Sequence, residues 1–130
     1  MTHPSPVPPR ARGLRRLFRA FGYSCQGLAA AWHSEPAFRQ EVVLAIIMLP
    51  AAFFVGRTAI EIFLLCLTVV LVLVIELINS AIEALADAIT HEYHPLIGKA
   101  KDTGSAAVLL SLIITGAWWA YVILDRWVFI

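Results

Sequence analysis

Charge is scarce in this 130-residue chain: Asp, Glu, Lys and Arg make up 15% of it, against roughly 25% in an ordinary soluble domain. Hydrophobic residues make up 60%, and the mean hydropathy is +0.79. A soluble domain of this size hides only about two thirds of its unfolded surface, so the apolar excess must face something other than water. That excludes a soluble globular enzyme, a disordered chain and a multidomain protein. Cysteine is nearly absent: Cys25 and Cys66 stand far apart with no CxxC, so no disulfide framework is expected and both read as packing residues. No internal repeat stands out. The net charge of +1 says nothing about nucleic acid, and its distribution is more useful, five of the ten cationic residues falling between Arg10 and Arg19; no nucleic-acid partner is expected.

The opening run MTHPSPVPPRARG is rich in proline and lacks the apolar stretch that follows the basic region of a signal peptide. Residues 1–13 are therefore expected to form a short disordered lead, and residues 14–130 a single membrane-embedded domain. Over residues 14–33 an amphipathic surface helix is expected. Leu14, Leu17, Phe18, Phe21, Cys25, Leu28 and Trp32 share one stripe at about 100° per residue, opposite Arg12, Arg15, Arg16 and Arg19. Such a basic, aromatic-rich helix lies in the plane of the membrane interface. Tyr23 falls on the arginine face.

Three spans follow, giving an all-α integral membrane fold. Ser34 is the expected N-cap of the first, with Pro36 in its opening turn; residues 42–56 are uncharged, and Gly56 ends it. Thr58-Ala59-Ile60-Glu61 matches a capping box, so a second helix is expected over residues 59–91. Residues 91–102, with Pro95 and Gly98, are expected to form a loop. The third span runs from 103 to about 127, its residues 103–124 uncharged and long enough to cross a bilayer. Eight of the ten Lys and Arg lie up to Arg39 or at Lys99 and Lys101. The excess of positive charge expected on the inner side puts the N-terminus and the second loop in the cytoplasm, and the C-terminus outside.

The second span carries groups that lipid does not tolerate. Glu76, Asn79, Ser80, Glu83 and Asp87 fall within about 100° of one helix face and extend about 16 Å along it. Each carboxylate facing the bilayer centre costs about 2.5–3.5 kcal/mol even on lenient scales. The stripe must therefore face protein, a metal or a water-filled cleft. Glu76 lies about 25 Å along this helix from Ala59, near the cytoplasmic interface, at the level of Glu35 and Glu41. Paired acids or helix-joining hydrogen bonds are one explanation. A proton or ion pathway is another, and a divalent-metal site completed by substrate phosphates a third. A pathway should cross the whole membrane, whereas residues 62–75 offer only Cys66 and Thr68. The one-sided distribution favours a catalytic site at the surface.

The runs IELINSAIEALAD (residues 75–87), EYHPLIGKAKDTGSAAVLL (92–110) and GYSCQGLAAAWHSEPAFRQE (22–41) resemble the prokaryotic diacylglycerol kinase family. The resemblance covers nearly everything from Arg16 onward. It implies an inner-membrane homotrimer of three-span chains that transfers the ATP γ-phosphate to the hydroxyl of diacylglycerol, giving phosphatidic acid. By the same resemblance Glu76 is the catalytic base. Glu35 and Glu83 hold a divalent cation such as Mg²⁺, and Asn79 and Asp87 lend polar support. Arg16, Tyr23, Glu35, Glu83, Glu92, Tyr93, His94, Lys101 and Asp102 contact ATP. Ala29, Ala30, Ala31 and Trp32 line the lipid site with Ala37, Phe38, Arg39, Gln40, Glu41, Glu76 and Ser105. Cys25, Pro95 and Ile97 depart from the family's usual residues and bear on loop detail. The sequence has no GxxxxGK[ST] loop and no HRD or DFG motif, so any phosphoryl transfer depends on the acids and the basic loop. Within the same chemistry the nearest rival is an undecaprenol kinase. From another class, the rivals are a carboxylate-based transporter and a non-catalytic assembly protein.

Overall fold

Proline and glycine mark the helix boundaries. A computed structural model describes residues 3–7 and 12–129. It contains four helices, α1 (Leu14–Ser34), α2 (Pro36–Val55), α3 (Ala59–Ile89) and α4 (Pro95–Trp127). The expected lead at residues 1–13 lies in good part outside the described residues; residues 3–7 carry no regular secondary structure.

A single residue separates α1 from α2, and the N-cap of α2 is Glu35 rather than the expected Ser34. Pro36 has no N–H and drives the residue before it out of the helical region, so the extended conformation falls on Glu35. Ser34 stays in α1, its hydroxyl donating to Ala30 O at 2.8 Å. Gly56 ends α2 as expected, and the reason is close approach: a Cβ there would lie 2.6 Å from Ile62 Cγ1. The capping box forms with a shift of one residue. Thr58 Oγ1 accepts from Glu61 N at 3.2 Å, while the Glu61 carboxylate accepts from Arg57 N at 2.8 Å.

The loop expected over residues 91–102 is shorter, and the third span begins sooner. The α3 helix stops at Ile89 rather than at residue 91, and α4 starts at Pro95 rather than at residue 103. Proline is preorganised for the first helical position, and His94 Nδ1 caps the new helix by accepting from Leu96 N at 3.2 Å. The charges at Lys99, Lys101 and Asp102 thus decorate a helix that outruns the membrane. At 33 residues α4 is about 50 Å long, against a hydrocarbon core of about 30 Å.

Three of the helices, Pro36–Val55, Ala59–Ile89 and Pro95–Trp127, are long and apolar enough to cross a membrane. The main packing is α3 against α4, with α2 laid on α3 and α1 touching α2 and α3 more lightly. Ala45, Ala52, Leu65, Val69, Trp119 and Val122 form the core. Small and hydroxylated side chains let α3 and α4 approach, as is usual between membrane helices. Ser111 donates to Val108 O at 2.7 Å and Thr115 to Ser111 O at 2.8 Å. Trp119 Nε1 crosses to Leu65 O at 3.3 Å. At the end away from the acids, Arg57 pairs with Asp125. There Arg126 donates to Phe54 O and, at 3.0 Å, to Val55 O, satisfying carbonyls that the end of α2 leaves free. Outside this core, large apolar side chains such as Ile46, Phe54, Ile60 and Ile113 are exposed, the surface a lipid-facing protein needs.

Leu65 is completely buried. Leu65→Ala should lower stability in detergent by about 2–5 kcal/mol, whereas Leu65→Met should cost under about 1.5 kcal/mol. Thermal unfolding of both variants checks the pair.

Candidate functional site

One face of α3 does two kinds of work. Its buried residues are Leu65, Val69, Val72, Glu76, Asn79 and Ala86. That face is apolar over its first half and polar over its second. Glu76 is only 5% exposed and Asn79 only 7%, so the stripe expected from the sequence turns inward where it is deepest. Glu83 and Ser80 are half-buried, and Asp87 is exposed.

Asn79 is held by an absence. Gly104 of α4 is buried, and a Cβ there would collide with Asn79 Oδ1 and lie 3.6 Å from Ile82 Cδ1. The glycine therefore lets α4 come up against the asparagine amide. Asn79 Oδ1 and Ser80 Oγ are buried without hydrogen-bond partners, as is Glu41 Oε2. Buried polar atoms of native proteins are normally satisfied; the fourth such atom among the described residues, Trp118 Nε1, lies in the apolar half of the bundle.

The acids converge from two helices. Glu76 lies within electrostatic reach of Glu83 and Glu35, and Glu41 within reach of Glu76. On the other side, Lys101 Nζ donates to Asp87 Oδ1 at 2.7 Å and lies near Glu83. The structure thus brings Glu35, Glu41, Glu76 and Glu83 into one neighbourhood, bordered by the Lys101–Asp87 pair.

Beside them an open cleft of about 580 Å³ separates α1 from α3, a size suited to a small-molecule site. Ser24, Gly27, Ala30, Ala31 and Ser34 form its α1 wall, Leu77, Ser80, Ala81 and Ala84 its α3 wall, and Glu35 sits at the junction. A second cleft, also about 580 Å³, lies among Trp32, Arg39, Gln40, Val43 and Leu44. Arg39 reaches back from α2 to donate to Trp32 O at 2.8 Å and to His33 O at 3.1 Å, which closes the end of α1 beside the second cleft. Sequence reasoning missed this capping role and that of Gly104. Both depend on which helices meet, which periodicity does not report.

Other expected residues are more dispersed. Arg16, Tyr23, Glu92, Tyr93, Asp102 and Ser105 are exposed, and among the described residues none of their side chains hydrogen-bonds to the acids. Along the expected lipid site, Ala31 and Phe38 are buried, whereas Ala29, Ala30, Trp32, Ala37 and Gln40 are exposed. Among the described residues no three His, Cys, Asp or Glu side chains converge as a ready-made metal site.

Three helices long and apolar enough to cross a membrane, with an open cleft between α1 and α3 that has Glu35 at its junction, define a helical membrane protein. The sequence model of prokaryotic diacylglycerol kinase matches residues 22–123. Diacylglycerol kinase of Haemophilus influenzae is 47% identical over 110 residues, spanning 85% of this chain and 93% of that protein. The Escherichia coli enzyme of that name is 48% identical over 107 residues, spanning 82% and 88%. That of Helicobacter pylori is 47% identical over 118 residues, spanning 90% and 92%. The chain belongs to the prokaryotic diacylglycerol kinase family. It is accordingly an enzyme of the kinase class, for which ATP is the phosphate donor.

Gly104→Ala should destabilise the α3–α4 contact by about 1–3 kcal/mol, the usual cost of overpacking. Pairing it with Asn79→Ala should recover part of that loss, because the colliding amide is gone. A double variant no more stable than Gly104→Ala in a thermal unfolding series would remove the close-approach explanation.

Proposed function

We propose that this chain transfers the γ-phosphate of ATP to the hydroxyl of diacylglycerol, giving phosphatidic acid at the cytoplasmic face of a bacterial inner membrane. The observation that carries this reading is the burial of Glu76 on α3, within reach of Glu35 and Glu83 and next to an open cleft, inside the segment shared with the family. Phosphoryl transfer asks little covalent chemistry of a protein and much positioning and charge neutralisation. Glu76 is the general base: its carboxylate takes the proton of the lipid hydroxyl as the hydroxyl oxygen attacks the γ-phosphorus and the bond to the departing ADP breaks. Asn79 and Asp87 support the acids from the same helix face.

Glu35 and Glu83 are the residues that would hold a divalent cation such as Mg²⁺. The two carboxylates fit that ion, which is commonly bound by one or two carboxylates together with substrate phosphates rather than by an all-protein cage. When bound, the ion neutralises charge on the phosphate oxygens. Arg16 and Lys101 add positive charge to the nucleotide site, and Tyr23, Glu92, Tyr93, His94 and Asp102 border it. The cleft at Trp32, Arg39 and Gln40, continued by residues 29–31, residues 37–41 and Ser105, receives the lipid.

Residues 14–130 act as one membrane-embedded domain, with α1 as an amphipathic helix on the cytoplasmic surface and the C-terminus outside. The distribution of Lys and Arg supports this orientation. Three chains assemble as a homotrimer, which covers the side of the polar stripe that a single chain leaves open; a fully active monomer in dilute detergent would remove this assembly.

Purified protein given radiolabelled ATP should label diacylglycerol. Label in undecaprenol alone would shift the substrate to that lipid, and label in neither, with folded protein, would sink the kinase reading for this site. Glu76→Gln should keep the fold and ATP binding while turnover falls by about a hundredfold or more; retained turnover would remove Glu76 as base.

A further inference from the structure

The family match begins at residue 22, and what precedes it is unlike the rest of the molecule. The sequence contains no acid before Glu35 but five arginines between residues 10 and 19. Arg12, Arg15, Arg16 and Arg19 are all exposed. Among the described residues none of these four forms an ion pair, the two pairs of the structure being Arg57–Asp125 and Lys101–Asp87.

The apolar side of the same segment is equally uncovered. Leu14, Leu17, Phe18 and Phe21 are each at least 66% exposed. The only buried residue of α1 is Ala31, near its far end. So the first half of α1 presents an apolar stripe and a purely cationic stripe, and among the described residues nothing covers either. A nucleic acid would meet the arginines but leave the leucines and phenylalanines in water. A zwitterionic bilayer would meet the apolar stripe but offer the arginines little. An anionic leaflet satisfies both at once: apolar side chains enter the acyl boundary while the arginines face negative headgroups.

We propose that the N-terminal half of α1 is a docking element for anionic lipid, so that the membrane's charge, and not only its apolar depth, seats the helix. The proposal rests on the reading of α1 as a surface helix and adds selectivity to it. The consequence reaches the site, because the second half of the same helix, from Ser24 to Glu35, lines the α1–α3 cleft. A helix seated at one end holds that wall at the other.

Cys25 provides a native reporter, being exposed on α1 and on its apolar stripe. The full-length protein is reconstituted into phosphatidylcholine vesicles with or without phosphatidylglycerol, and the rate of Cys25 modification by a charged, water-soluble maleimide is measured. Cys25 should be protected in the anionic vesicles and several-fold more reactive in the zwitterionic ones, with added salt eroding the difference. An R12Q/R15Q/R19Q variant, which spares the proposed nucleotide contact Arg16, should lose most of the protection. At about fivefold per arginine near an anionic surface, three are worth on the order of a hundredfold in seating. Equal protection in both vesicles overturns the anionic selectivity while leaving the surface helix intact. High reactivity in both overturns the surface helix as well. Protection that follows the protein-to-lipid ratio instead of lipid charge assigns this face to a second copy of the chain and overturns the proposal.

Discussion

A carboxylate on a membrane helix cannot face lipid, and the structure follows from where α3 puts Glu76. Exposure to lipid costs about 2.5–3.5 kcal/mol at the bilayer centre and less toward the interface, where Glu76 lies. That is still a sizeable share of the roughly 5–15 kcal/mol by which proteins are typically stable. Glu76 therefore shares the buried face of α3 with Leu65, Val69 and Val72. The face that builds the apolar core in one half of the helix builds the polar site in the other. Rotating α3 to bury the acids elsewhere would expose Asn79 and dismantle the core, so the packing and the site fix each other.

The small residues of α4 make this possible. Gly104, Ser111 and Thr115 lie on the buried face of that helix, and the hydroxyls return their hydrogen bonds mainly to carbonyls of their own helix. That leaves neither of these hydroxyls unpaired against α3 and allows close approach. Where the contact passes from hydroxyls to Gly104, the room released is taken by the Asn79 side chain. The transition from core to site thus coincides with the one buried position of α4 that has no side chain.

Much of this was legible in the sequence, and the misses have physical causes. The spans, Gly56 as the end of α2 and the inward turn of Glu76 and Asn79 follow from periodicity and from the cost of charge in lipid. Thr58 was legible because capping is local. Ser34 was misplaced because two adjacent rules competed, and the restriction that Pro36 imposes on Glu35 outweighed the capping preference of serine. The start of α4 was misplaced because Lys99, Lys101 and Asp102 resemble a loop by polarity, although a helix that extends past the bilayer has no need to be apolar. Arg39 and Gly104 act across helices, and a single sequence carries no signal for which turn meets which. The dispersed expectations, from Tyr23 to Ser105, concern contacts with molecules that the chain alone does not contain.

The two arginines that close helix ends tie distant parts of the chain in a particular order. Arg39 closes α1 from the very next helix, so that joint is complete almost as soon as it is synthesised. Arg126 closes α2 from 71 residues further on. The far end of the first span is thus closed by a residue of the third, so α2 gains its cap only once α4 has packed beside it. One joint is local and the other long-range, so a cut between α3 and α4 would spare the first and break the second.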